Sequence, residues 1–159
     1  MVRSVMPEGE FTESALRVHG LSRKVLKKKG AKVFTKATSD MIMNYLNIMK
    51  DLPIVAHNVE HDRDKVLMPA FKKVGNLDAL PPDSRWRCTQ EMANRIPFLN
   101  MVTLDDALEH FGHERRDVDK HHDALEDARL AAKVYMSIMA MPEMKKGKLG
   151  FKWNWMAEK

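Results

Sequence analysis

Four residues, Pro53-Ile54-Val55-Ala56, limit most strongly what this chain can become. The run is apolar, bounded by proline on one side and by the polar pair His57-Asn58 on the other. Such a run is too short for a buried helix and has the composition of a buried strand. Patterns of helical period lie on both sides. Asp40 to Met49 places Met41, Ile42, Tyr45, Leu46, Ile48 and Met49 at helical spacing, with Asp40 as the predicted N-cap. Asp62 to Val74 carries Val66, Leu67, Phe71 and Val74, and stops at Gly75-Asn76. A strand between two helices predicts an α/β layered domain.

The remaining segments continue the alternation. VRSVMPEGEF has the look of a strand ending in a Pro-Gly turn, and Ser14 to Leu26 leans helical but is interrupted by Gly20. Leu80-Pro81-Pro82-Asp83 is a loop, and Arg85 to Thr89 a second short strand. Helices are expected at 89–95, at 103–111 with Thr103 capping and Gly112 stopping, and at 122–140. GHERRDVDKHH, between the last two, is polar and expected to be exposed. Residues 142–159 form a basic aromatic tail in which Phe151, Trp153 and Trp155 alternate amid lysines. That spacing suits either a single-strand stacking platform or an edge strand packed on the core.

With 159 residues, 44% of them apolar and 31% charged, the chain has enough apolar surface for one core. A single cysteine, Cys88, excludes an intramolecular disulfide scaffold and fits a reducing compartment. No apolar run is long enough to span a bilayer, and MVRSVMPEGE lacks the apolar stretch of a secretory signal. A cytoplasmic protein is therefore expected. The net charge of +5 suits a polyanionic partner such as nucleic acid. The cations are concentrated in Arg23-Lys24 with Lys27-Lys28-Lys29, and in Lys145-Lys146, Lys148 and Lys152.

Sites in α/β folds tend to lie where strands end. Asp62 stands just past the strand at 53–56, where, taken alone, it reads first as the N-cap of the next helix. Asp127 could simply complement the macrodipole of its helix, as Asp123 and Glu126 are expected to do. His122, five residues before Asp127, would by itself be a cap or surface histidine. His113 and His121 are assigned to the surface. His57 and His61, four apart, could suggest a zinc pair, but no third ligand of convincing spacing follows.

Taken together, these segments resemble a known family. AHNVEHDRDKVL (56–67) is similar to the second motif of the DnaQ-like, or DEDDh, 3′–5′ exonucleases, and HHDALEDA (121–128) to their third, with His122, Ala124, Asp127 and Ala128 in place. CTQEMANRIP, TLDDALEHFG and PEGEFTESALRVHGLS resemble further segments of the family, in the right order from about residue 5 to 140. The resemblance implies a ribonuclease H-like three-layer fold, a mixed sheet flanked by helices, over residues 1–141. It implies a metal-dependent exonuclease acting at the 3′ end of DNA or RNA, with two Mg²⁺ or Mn²⁺ ions held by carboxylates. Asp62 and Asp127 would be the metal ligands. His122 would be the general base, its pKa lying near working pH. His57, Asn58 and His61 would face the substrate.

Two departures shape the expectation. Position 61, where the family has an aromatic, is His61, which bears on either packing or base stacking. The family's first motif, an apolar strand carrying Asp-x-Glu, has no counterpart here. Glu8 and Glu10 have the spacing but sit in the turn-like PEGEF. The expected fold thus lacks its first strands and leaves the strand at 53–56 with an open edge, which a second polypeptide or a second copy of the chain could complete. Turnover by this chain alone is expected to be weak or absent. The alternative is a catalytically inactive nucleic-acid-binding or interaction module of the same fold.

Overall fold

The computed structural model describes residues 5–6, 12–97, 99, 103–116 and 123–142. The PEGEF turn with Glu8 and Glu10, the histidines His121 and His122, and the tail from residue 143 lie outside the described residues. The chain forms two compact units. The first holds the chain up to Ile54, Val59–Trp86, and Asp123 with Ala124; the second holds Val55–Asn58, Arg87–Arg116 and the chain from Leu125. Helices and small sheets make up both, which is α/β at the level of class.

In the first unit, strand β1 (Val5–Met6) pairs in parallel with β2 (Lys32–Val33), in the register Val5–Lys32 and Met6–Val33. Helices α1 (Glu13–His19) and α2 (Arg23–Lys28) lie between them in sequence. The expected break at Gly20 is real: its φ of 62° is a left-handed conformation that stops α1. Ser22 then caps α2, accepting from the Val25 amide at 3.2 Å. The strand β2 was not foreseen. Its two residues are both exposed, so they carry no burial pattern to read.

Helix α3 (Lys36–Ile48) begins four residues before the expected Asp40. Thr35 is the cap, its hydroxyl accepting from the Thr38 amide at 3.3 Å. Asp40 lies inside the helix instead, 3.6 Å from Lys36 Nζ and accepting from Asn76 Nδ2 at 2.9 Å. Asn76 also donates to the fully buried Ser39 hydroxyl at 2.8 Å, tying the turn after Gly75 to α3. The far end of α3 is closed by Arg85. Its guanidinium donates to the carbonyls of Leu46 at 3.3 Å, Met49 at 2.9 Å and Leu52 at 3.1 Å. Leu46 belongs to the last turn of α3, Met49 is its cap and Leu52 lies just beyond, so one guanidinium ties the helix end to the turn after it.

The expected helix from Asp62 to Val74 is two helices of different winding. Glu60–Leu67 is a π-helix, and α4 (Met68–Lys73) continues it as α. The Met68 amide bonds to the Arg63 carbonyl, five residues back, and Lys65 Nζ meets Glu60 Oε1 at 2.9 Å across the same interval. Asp62 is therefore not the N-cap; it lies within the first turn. Phe71 of α4 is fully buried and meets the Phe34 ring at 5.6 Å in a tilted pair.

Strand β3 (Ile54–Ala56) forms, as expected, and pairs with β4 (Trp86–Cys88) in a second two-stranded sheet. The second unit's core is helical. Helix α5 (Thr89–Ala93) supplies Met92 and Ala93, followed by Ile96. Helix α6 (Leu104–His110) supplies Leu104, Ala107 and Leu108, and α7 (Ala124–Ala140) supplies Leu130, Ala131, Val134 and Ile138. These positions recur three and four apart and make one apolar stripe per helix. Thr103 and Asp106 form a reciprocal capping box on α6. His113, expected at the surface, is half-buried, with Nε2 2.9 Å from the Ser137 hydroxyl of α7.

Two substitutions separate packing from capping. Leu108→Ala empties a fully buried position and is expected to cost about 2–5 kcal/mol. Arg85→Ala strips the carbonyls ending α3 and is expected to cost about 1.5–3 kcal/mol. Urea unfolding of both variants, followed by circular dichroism, measures each loss.

Candidate functional site

The end of β3 is held by three consecutive residues at the junction of β4 and α5. The His57 carbonyl accepts from the Gln90 amide at 3.1 Å and from the Cys88 thiol at 3.3 Å. The His57 ring meets the Thr89 hydroxyl through Nδ1 at 3.0 Å. Thr89 is fully buried, and its hydroxyl has the Ala56 carbonyl at 3.4 Å. That carbonyl can only accept, so the hydroxyl proton goes there and Nδ1–H donates to the hydroxyl oxygen. This makes Nδ1 of the half-buried imidazole a donor. The Cys-Thr pair of the CTQEMANRIP segment is thus the support of His57. Asn58, next in sequence, is exposed.

His61 and Asp62 belong to the other unit, on the π-helix Glu60–Leu67, and both are exposed. π-helical turns are rare and concentrate at functional sites. Arg63 beside them is largely buried and pairs with Asp64 and with Asp83, which anchors the helix away from Asp62.

Asp127 lies in the first turn of α7 in the second unit. Its Oδ1 is 3.2 Å from Arg116 Nη1. Arg116 also grips Asp105, in the first turn of α6. Nε lies 3.0 Å from Oδ1 and Nη2 lies 2.7 Å from Oδ2, and the Arg116 backbone amide donates to Oδ1 at 3.2 Å. The side-chain hydrogen bond from Arg116 is the main cause that holds the Asp105 carboxyl below its ordinary pKa of 3.8, against its partial burial. Asp105 in turn raises the pKa of Arg116. Neither Asp105 nor Arg116 stood out in the sequence: Asp105-Asp106 looks like ordinary first-turn acid, and Arg116 like part of a polar loop. In β4, burial lowers the pKa of Arg87; it also raises that of Tyr135, on α7.

Among the described residues no three His, Cys, Asp or Glu side chains group as metal ligands. Asp127, the acid the resemblance puts on a metal, has a guanidinium on its oxygen. As they stand, the described residues do not fit a divalent ion. His122 lies outside them.

No protein-family model matches the chain. Over 137 residues, 86% of this chain, it is 28% identical to a DNA polymerase III PolC-type of Thermotoga maritima. It is 27% identical over the same length to the DNA polymerase III PolC-type of Thermotoga petrophila. The chain spans 9% of the length of each relative. No solved structure matches. Among the described residues, no helix is long and apolar enough to cross a membrane.

Two measurements test the geometry. Thr89→Val removes the acceptor of His57 Nδ1–H, and ¹⁵N spectra are expected to show protonation at Nδ1 falling. Asp105 has a folded pKa below its unfolded one, so its contribution to stability is complete above the unfolded value and drains as pH falls through and below 3.8. Melting temperatures taken from about pH 6 down to about pH 2 should fall less steeply in Asp105→Asn than in the wild type.

Proposed function

We propose that the chain is a nucleic-acid-binding domain of 3′–5′ exonuclease type, of DnaQ-like origin and ribonuclease H-like fold, acting at the 3′ end of a DNA or RNA strand. The observation that carries this is the similarity, over 137 residues, to a protein named for DNA polymerisation, chemistry done at a 3′ end. The ordered motifs support it, with Asp62, Asp127 and His122 as the reacting set and His57, Asn58 and His61 toward the substrate. In that arrangement His122 takes a proton from the attacking water. Mg²⁺ or Mn²⁺ is the cofactor class the resemblance brings. Residues 1–141 are the exonuclease-like domain and 142–159 its basic tail.

Charge distribution supports a nucleic-acid partner. Between Ser14 and Ser39 stand Arg17, Arg23, Lys24, Lys27, Lys28, Lys29, Lys32 and Lys36, and no acid. These eight cations exceed the chain's net +5, so the rest of the chain carries a net −3. All eight are exposed. On α2, Arg23 sits one turn from Lys27 and Lys24 one turn from Lys28. Each such like-charge pair costs the helix about 0.2–0.5 kcal/mol, a cost that a bound polyanion offsets.

A second reading, a non-cutting module of the same fold, draws on one specific observation, the guanidinium of Arg116 on Asp127. A 5′-labelled single strand tests both. Slow Mn²⁺-dependent shortening that disappears in Asp127→Ala supports the enzyme; binding without shortening supports the module; absence of binding sinks both. Binding should weaken with salt. Replacing Lys27, Lys28 and Lys29 by Gln is expected to reduce the log–log salt slope by about 2, at roughly 0.7 for each phosphate no longer neutralised.

A further inference from the structure

We propose that Arg116 is a built-in counter-cation of Asp127, occupying the carboxylate that a divalent ion would need and held there by Asp105. The inference rests on the reading of Asp127 given above. Its own support is the geometry. The guanidinium offers Nε and Nη2 to Asp105 in a fork and reaches Asp127 with Nη1 at 3.2 Å. A fork of this kind fixes direction as well as charge. The Arg116 backbone amide bonds the same Asp105 carboxylate, at 3.2 Å, so both the main chain and the side chain of Arg116 are anchored at one acid. The reach to Asp127 is therefore set by Asp105.

Among the described residues, one guanidinium meets both carboxylates. Exposures of 21% for Arg116, 29% for Asp105 and 30% for Asp127 put the three side chains in partly desolvated surroundings, where pairing is stronger than in open water. Both acids sit in first helical turns, where the macrodipole favours their ionised form. A divalent ion arriving at Asp127 must displace Nη1 from Oδ1 or bind beside a positive charge. Either course weakens it. Asp105 thus sets how firmly the cation is kept, and Arg116 is a positioning residue acting through Asp127.

The test is Mn²⁺ titration calorimetry on the full 159-residue chain. Arg116→Gln keeps a polar, uncharged but shorter side chain and is expected to bind Mn²⁺ at least about tenfold more tightly than the wild type. In Arg116→Gln/Asp127→Asn that gain should vanish. A folded Arg116→Gln with unchanged affinity overturns the proposal, as does a gain that survives Asp127→Asn. If Arg116→Gln does not melt cooperatively, Arg116→Met, uncharged and of comparable length, replaces it. No gain in that folded variant equally overturns the proposal. Strand binding by the wild type, followed by fluorescence anisotropy, is independent. Its absence removes the functional reading without altering the ion comparison, and an unchanged ion affinity leaves strand binding untouched.

Discussion

The clasp of Cys88, Thr89 and Gln90 on Ala56 and His57 is the contact on which the second unit's candidate site depends. A strand of three residues gives few ladder bonds, and β3 would be a weak support for a side chain at its end. The clasp replaces length with local density: a thiol and an amide share the His57 carbonyl, and a buried hydroxyl joins the imidazole to the Ala56 carbonyl. Thr89 lies where β4 gives way to α5, so its direction is set by both elements. The Thr89 hydroxyl, placed by the β4–α5 junction, thus helps to orient the imidazole ring.

What could be read from sequence and what could not divide along physical lines. Strand β3 and helices α6 and α7 were legible because each announces itself locally, through an apolar run ending in polar residues, a Thr cap with an acid three residues on, and apolar positions three and four apart. The start of α3 was misplaced because Asp40 and Thr35 are both good caps; Thr35 takes the role, and Asp40 pairs with Asn76, 36 residues away. The π winding of Glu60–Leu67 has no hydrophobic period to betray it, since its only apolar residues are the adjacent Val66 and Leu67. The site divides the same way. Asp62 and Asp127 could be picked out by motif, whereas Arg116 acquires its meaning only from two acids each 11 positions away in sequence.

Charge in this molecule is spent in two opposed manners. At Arg116 one cation is surrounded by acids and confined by a fork, so its field is used internally. On α2 the cations stack on one another with no acid in the first turn, so their field is directed outward. The first arrangement stabilises the fold and quiets an acid; the second costs the helix stability and attracts phosphate.

The π-wound span has a consequence for how this sequence can vary. Its bonds close over five residues, so the loss of one residue can be absorbed by re-closing part of the ladder over four, with the flanking elements left in register. The same deletion in α7 would rotate every later side chain by roughly 100° and turn Val134 and Ile138 off the core. Length polymorphism among descendants of this chain should therefore collect at 60–67 and be purged from 124–140.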